Sequence, residues 1–350
     1  MVTEKMGFGI VGCGVIGPWH RDAIQYLEEA ELVACCDVDE ARGRKMAEES
    51  EGQVKFYGDY GDLVRDPGVD AVCVCTPSGL HGEVAVSAAE AGKHVLCEKP
   101  MEITSEKMDE MISACRKNGV KLGNIFQRRT HRSSQIAKDA IDRGILGKMV
   151  LGDIYLKYYR AQSYYESAGW RGTWALDGGG ALMNQGVHGI DLALWIMGPV
   201  RSVYGRSDHM VRDIEVEDTA IALLEYESGA WGVLEGTTSV NPGESTTLSM
   251  HGKKGTITLE NDSISKWAVA DGEDERAEVK PYDVEGEKDG AASDPTAIGH
   301  AGHVFLVKDL IEAVRADREP FITGESARKG VELILGVYES SRVGKPVKLT

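Results

Sequence analysis

The sequence predicts an α/β protein: an N-terminal doubly wound parallel sheet, then an α+β domain whose sheet is open and mostly antiparallel. Three observations predict it. Apolar runs and helical runs alternate over the first third of the chain, a glycine triplet joins the first such pair, and beyond residue 125 strand-like runs follow one another across Gly, Asn and Asp turns. The domains are expected at residues 1–124 and 125–350, with the closing helices packing back on the first.

Taken in order, "GFGIVG" at residues 7–12 is a short buried strand, and "CGVIGPWHRDAIQYLEEA" turns through glycines into a helix carrying Ile24 and Leu27. "ELVACCDVD" is a second strand, "EARGRKMAEES" a helix, "DAVCVCTPS" a strand, "HGEVAVSAAEAG" a helix, "KHVLCEKP" a strand, "SEKMDEMISACRKNG" a helix and "VKLGNIF" a strand. Parallel neighbours need crossover connections, which the helices supply. Next, "KMVLGDIYLKYYR", "PVRSVYGRSDHMV", "DTAIALLEYESG", "AWGVLEGTTSV", "TTLSMHGKKGTITLEN" and "ISKWAVAD" read as strands. "GGGALMNQGVHGIDLALWIMG" is a helix among them, and "HVFLVKDLIEAVRAD" and "GESARKGVELILGVYESSRVG" are two closing helices. The acidic "DGEDERAEVKPYDVEGEKDGAASD" has no apolar period and reads as a solvated surface loop.

At 350 residues with 42% apolar side chains, the chain can fill two cores. Its net charge of -17, without a basic stripe, argues against nucleic acid and an anionic membrane as partners and for a small-molecule ligand. No basic segment followed by a long apolar stretch opens the chain, and no run approaches membrane-spanning length. The seven cysteines fall in the first third without a CxxC pair, so a reduced, cytoplasmic setting is expected. Alternating runs such as "AIALLEY" and "AWGVLEG" would leave an apolar outer sheet face, so a homodimer or homotetramer is expected.

Gly12-x-Gly14-x-x-Gly17 lies between a strand and a helix, the context that separates a dinucleotide site from a chance triplet. Gly12 permits the turn, Gly14 clears room for a pyrophosphate, Gly17 lets helix and strand pack, and Val15 and Ile16 complete the cofactor loop. Asp37, twenty residues after Gly17, can accept both adenosine ribose hydroxyls and would repel a 2′-phosphate. No Arg follows it directly, so NAD is favoured over NADP, with Arg42 and Arg44 the residues that speak for the latter. Asp37 is alternatively an N-cap for the next helix, a role Asp39 fills equally well.

Ligands of such sheets lie beyond the carboxyl ends of the strands, where "CVCTPSGLH" places Thr76, Pro77, Ser78 and His81 and "HVLCEKP" places Glu98 and Lys99. Gln127 follows the last strand and is assigned to the same cofactor site. The alternative for Lys99 is a surface ion pair with Glu98 or Glu102. With the glycine turn and Asp37, these motifs resemble the glucose-fructose oxidoreductase, inositol dehydrogenase and MocA family (Gfo/Idh/MocA). The resemblance runs on through "GWRGTWALDGGGALMNQGVHGIDLALWIMG" to "REPFITGESARKGVELILGVYESSR" and covers nearly the whole chain.

The resemblance implies that Lys99 meets the substrate beside the nicotinamide and that Trp170 and Arg171 reach the cofactor from the second domain. Many members carry Asp, three residues, then His after the glycines; this sequence has Asn184 and His188. Asn184 can only hydrogen-bond, so proton transfer rests on His188 or Lys99, the expected catalytic pair. Asp191 is a candidate orienter for His188. The run from Arg160 to Tyr165, with "WRGTW" and "MNQGVH", resembles the branch of nucleotide-sugar 3-dehydrogenases, which implies Arg160, Tyr165 and Asn184 as substrate-binding residues and oxidation at C3 of a pyranoside, the nucleotide not being carried over. Trp170, Trp174, Tyr164 and Tyr165 suit a sugar site or core packing alike. His300 and His303 stand three apart at a helix start, but no third ligand completes a set and no metal is expected.

The expected activity is therefore NAD-dependent oxidation of a secondary hydroxyl of a pyranose, glycoside or polyol. Three alternatives stand beside it: a glycosidase acting by transient sugar oxidation and elimination, an NADPH-dependent keto-sugar reductase, and a non-catalytic NAD-dependent sensor.

Overall fold

A computed structural model describes residues 5–270 and 300–349, so the acidic stretch expected to be a surface loop, residues 271–294, lies outside the described residues. The chain divides into two compact units, one of residues 1–127 with 300–328, the other of residues 128–299 with 329–350.

The first unit opens with β1 (Met6–Val11), α1 (Gly17–Tyr26), β2 (Ala30–Cys36), α2 (Glu40–Glu49), β3 (Lys55–Tyr57), α3 (Tyr60–Leu63), β4 (Ala71–Val74), α4 (His81–Glu90), β5 (His94–Cys97), α5 (Ser105–Lys117) and β6 (Leu122–Asn124). Its six strands run β3-β2-β1-β4-β5-β6, every neighbouring pair parallel. Every residue of β1 and β4 is buried, as expected of central strands covered on both faces. The strand "KFY" of β3, too short for a periodic signal, extends the edge beyond β2. Local signals set the helix starts: Asp39 accepts from Arg42 N at 3.2 Å and caps α2, and Thr104 caps α5 through Lys107 N at 3.3 Å. Asp39, not Asp37, thus takes the capping role.

The second unit holds α6 (Arg132–Asp142), β7 (Met149–Lys157), α7 (Gln162–Glu166), a π-helical turn at Ala181–Gly186 leading into α8 (Val187–Met197), and the strands β8 (Val200–Asp208), β9 (Thr219–Tyr226), β10 (Trp231–Thr237), β11 (Thr247–Gly252), β12 (Gly255–Glu260) and β13 (Ser263–Val269). Two helices follow, α9 (Ala301–Arg315) and α10 (Gly324–Val343), before the short β14 (Val347–Lys348). The second sheet has eight strands in the order β13-β12-β11-β7-β10-β9-β8-β14. All its pairs are antiparallel except β7 with β10. One face buries Ile154, Leu156, Leu224, Leu234 and Met250 against α8 and its neighbours. The other leaves Ile221, Leu223 and Trp231 more than half exposed.

α9 belongs to the first unit, where it packs on α1 and β6. It buries Leu306, Val307, Leu310 and Ile311, each worth about 1.5–3 kcal/mol of transfer free energy.

Candidate active site

Adjacent strands β2, β1, β4 and β5 end just before Asp37, Gly12, Thr76 and Lys99, so four separated motifs become one row at the carboxyl edge of the sheet. The strand order reverses between β1 and β4, the switch point at which such sheets bind ligands. The three glycines of the turn answer to different causes. Gly12 has φ +100°, and a Cβ there would lie 2.4 Å from the Cys75 carbonyl oxygen; at Gly17 it would lie 2.6 Å from the Gly12 oxygen. At Gly14 a Cβ would meet nothing within 4 Å. The fold requires the first and third glycines, whereas the open space over Gly14 is room for a ligand.

The Asp37 carboxylate is held by two backbone donors, Cys13 N and Asp39 N, both at 2.8 Å, and is 7% exposed. Arg42 stands 3.6 Å from it, while Arg44 pairs with Glu40. Val15 is exposed at the turn and Ile16 half-buried. Beyond β4, Pro77 precedes a short 3-10 turn, Ser78–Leu80, and Ser78 is buried. His81 is buried too, its ring nitrogens 2.8 Å from the Pro100 carbonyl and 2.9 Å from the Thr76 carbonyl. It ties the β4 and β5 loops together, and burial pushes its imidazole below the usual value. Lys99 is half-buried and precedes a cis proline. Glu98 is buried and turned inward, with His20 Nε2 at 2.9 Å and His303 Nε2 at 3.2 Å from one carboxylate oxygen. Burial alone would raise this carboxyl, but the two imidazoles outweigh it and hold it well below the usual range. Glu102, the other expected partner of Lys99, pairs with Lys107. Gln127 is buried against Gly302.

Side chains build the polar site of the second unit. Asn184 lies in the π-helical turn, a geometry frequent at functional sites. Glu217 fixes the start of that turn by accepting from Gly180 N at 2.9 Å, Leu182 N at 2.8 Å and Tyr338 Oη at 2.8 Å. Burial raises the Glu217 carboxyl to about 7 against the pull of those donors. Asn184 Nδ2 donates to Asp177 at 2.6 Å and its Oδ1 accepts from Gln185 at 2.7 Å. Gln185 accepts from the Arg160 guanidinium at 2.8 and 3.1 Å and donates to Tyr164 Oη at 2.8 Å. Arg171 donates to the same hydroxyl and lies over the Tyr164 ring at 4.3 Å and the Trp170 ring at 4.9 Å.

Of the two adjacent tyrosines, Tyr164 therefore joins the network. Tyr165 is buried, with its hydroxyl 2.7 Å from Thr238 Oγ1 and pushed by burial up to about 12. Asp191 does not orient His188: it is buried in a two-pronged pair with Arg129. His188 itself is half-buried in the first turn of α8.

The description "Oxidoreductase family, NAD-binding Rossmann fold" matches residues 6–126, and "GFO/IDH/MocA C-terminal domain" matches residues 134–258. The WlbA dehydrogenase of Bordetella pertussis, solved in complex with NADH and UDP-GlcNAcA, is 32% identical over 99% of both chains, with a TM-score of 0.88. This chain belongs to the Gfo/Idh/MocA oxidoreductase family. Curated relatives include the myo-inositol 2-dehydrogenase of Thermotoga maritima, 29% identical over 98% of each chain. They also include the D-glucoside 3-dehydrogenase of Escherichia coli, 29% identical over 74% of this chain and 78% of that one. As a Gfo/Idh/MocA member, the protein is an NAD-binding oxidoreductase akin to sugar and polyol dehydrogenases. No helix among the described residues is long and apolar enough to cross a membrane.

The first unit fits the cofactor. Besides the space over Gly14, the Thr76 hydroxyl and both amide atoms of Asn124, at the end of β6, are buried with no partner among the described residues. Sequence reasoning missed Asn124, His20, Asp177 and Gln185. An Asn closing a strand was a usable signal beside the other strand-end residues, whereas the remaining three are recognisable only from the contacts they make.

Proposed function

We propose that this protein is an NAD-dependent dehydrogenase that oxidises a ring secondary hydroxyl, at C3 of a pyranoside. The observation that carries this reading is the row of Asp37, Gly12, Thr76 and Lys99 along adjacent strand ends, with open space over Gly14. The names of the relatives support the substrate class, since an inositol, a glucoside and a sugar nucleotide all present ring hydroxyls.

Bound NAD supplies the hydride acceptor. The remaining tasks fall to the chain. Asp37, already ordered by two backbone N–H groups, accepts the ribose hydroxyls. Lys99 donates to the carbinol oxygen and stabilises the negative charge that develops there. His188 takes the hydroxyl proton, for which an imidazole with a reference pKa near ~6.5 is suited at neutral pH. Asn184, held between Asp177 and Gln185, offers hydrogen bonds but no proton acceptor. Arg160, Arg171 and Tyr164 frame it with donors suited to hydroxyl or carboxylate oxygens.

The test is a panel of pyranosides, sugar acids, sugar nucleotides and inositols offered with NAD, followed by NADH absorbance and by product analysis for the position of the keto group. A 3-keto product supports the reading. An inositol ketone as the sole product, or free aglycone without NADH accumulation, replaces it.

A further inference from the structure

His20, Glu98 and His303 form a fully buried cluster inside the first unit, drawn from the first turn of α1, the end of β5 and the first turn of α9. Both imidazole Nε2 atoms approach the same oxygen, Glu98 Oε1, at 2.9 and 3.2 Å. A carboxylate only accepts, so each ring donates there. The second oxygen, Oε2, accepts the backbone N–H of Lys99 at 3.1 Å. The two rings meet edge-on at 5.1 Å, which leaves Glu98 little freedom between them.

We propose that His20 and His303 are positioning residues for Lys99: through the Glu98 carboxylate they fix the backbone from which the lysine projects and lock it to the helix that starts at the cofactor's glycine turn. The physical reason is the cost of a buried charge. A carboxylate this deep is tolerable only while its donors hold it, and losing one imidazole drives it to swing towards water, releasing the Lys99 N–H. A displacement of about 1 Å at the lysine costs on the order of a hundredfold in rate. The device also gives α9 a task in chemistry as well as in packing. This inference rests on the reading of Lys99 as a catalytic group.

The experiment uses the full-length protein with His20→Ala, His303→Ala, the corresponding Gln variants, whose amide can still donate to Glu98, and Glu98→Gln. Three quantities are read: hydrogen exchange at the Lys99 amide, kcat, and NADH binding by fluorescence. In the Ala variants the Lys99 amide should exchange at least about tenfold faster and kcat should fall about a hundredfold, with NADH affinity little changed. The Gln variants should recover both. Glu98→Gln keeps the volume and can still turn its carbonyl to Lys99 N–H, so the Lys99 amide should stay protected, a readout that needs no activity and holds even if the Ala variants fail to fold. Unchanged Lys99 exchange in folded Ala variants overturns the proposal, as do Gln variants no better than Ala, or one tightly bound metal ion per chain. A folded Glu98→Gln protein whose Lys99 amide loses its protection overturns it too, because hydrogen bonding through this side chain would then not be what holds the lysine backbone. If Lys99→Met turns over like the wild type, the catalytic reading of Lys99 has failed and the proposal falls with it, while altered exchange in the histidine variants identifies that reading as the fault.

Discussion

In the first unit the ligand side is mostly main chain: a glycine turn, two backbone N–H groups aiming Asp37, and strand ends in a row. In the second unit the cluster proposed to meet the substrate is mostly side chain: Asn184, Gln185, Arg160, Arg171 and Tyr164 bonded to one another beside a helical turn fixed by Glu217. The difference matches the two tasks. A cofactor common to many enzymes can be held by geometry that tolerates drift in side chains, whereas discrimination among sugars depends on a few polar groups whose partners set their direction.

Lys99 is the side chain of the first unit that the proposed mechanism sets against the reacting oxygen, so Lys99→Met should have the largest effect. We expect kcat to fall about a thousandfold, with NADH fluorescence titrations close to wild type. A loss of cofactor binding instead would make Lys99 part of the main-chain cradle.

Glu217 tests whether the second unit depends on a buried ionisable group. Its folded carboxyl is raised from 4.5 to about 7, so between those values the native protein keeps a proton that the unfolded chain has shed. Stability from this group is complete below pH ~4.5 and is lost as pH rises through ~7, on the order of 3 kcal/mol in all. Thermal melts across that range should show the decline in the wild type and a smaller one in Glu217→Gln.

The glycines sharpen the contrast inside one motif. Gly14→Val should weaken NADH binding about a hundredfold without lowering Tm, because the new side chain enters only open space. Gly12→Ala meets the Cys75 carbonyl at positive φ, and should cost about 1–3 kcal/mol of stability in a denaturant titration.

In the second unit, Asn184→Asp would set two carboxylates at hydrogen-bonding distance, since Asp177 is 2.6 Å from the amide. We expect KM for the sugar to rise roughly tenfold. The smallest effect belongs to the exposed face of β9, where Leu223→Lys should weaken self-association in sedimentation while kcat holds.

What was legible in the sequence follows the same division. The glycine turn, Asp37 and the strand–helix alternation are local signals, and local patterning likewise located β7 to β13 of the second sheet and the helical segment that contains Asn184, but not the two-residue β14. The parallel pairing of β7 with β10 was not legible, because antiparallel neighbours are the default when strands follow strands. The partner of Asp191 was misread because spacing along α8 points to His188, while Arg129 arrives from a distant segment with a full guanidinium. Tyr164 and Tyr165 look alike in sequence, and only burial against Thr238 tells them apart. His20 and His303 are separated by most of the chain, so nothing short of the fold could join them.

That α9 completes the first unit bears on how the molecule is made. A ribosome delivers β1 to β6 early, yet His303 and the apolar face of Leu306, Val307 and Leu310 emerge only after β7 to β13 of the second sheet have been synthesised. The nascent parallel sheet must wait with one flank uncovered, a state prone to aggregation. A fragment cut at Gln127 would carry the glycine turn and Lys99 but not the helix that packs on α1 and β6, so the nucleotide fold of this protein cannot be excised as one continuous stretch of polypeptide.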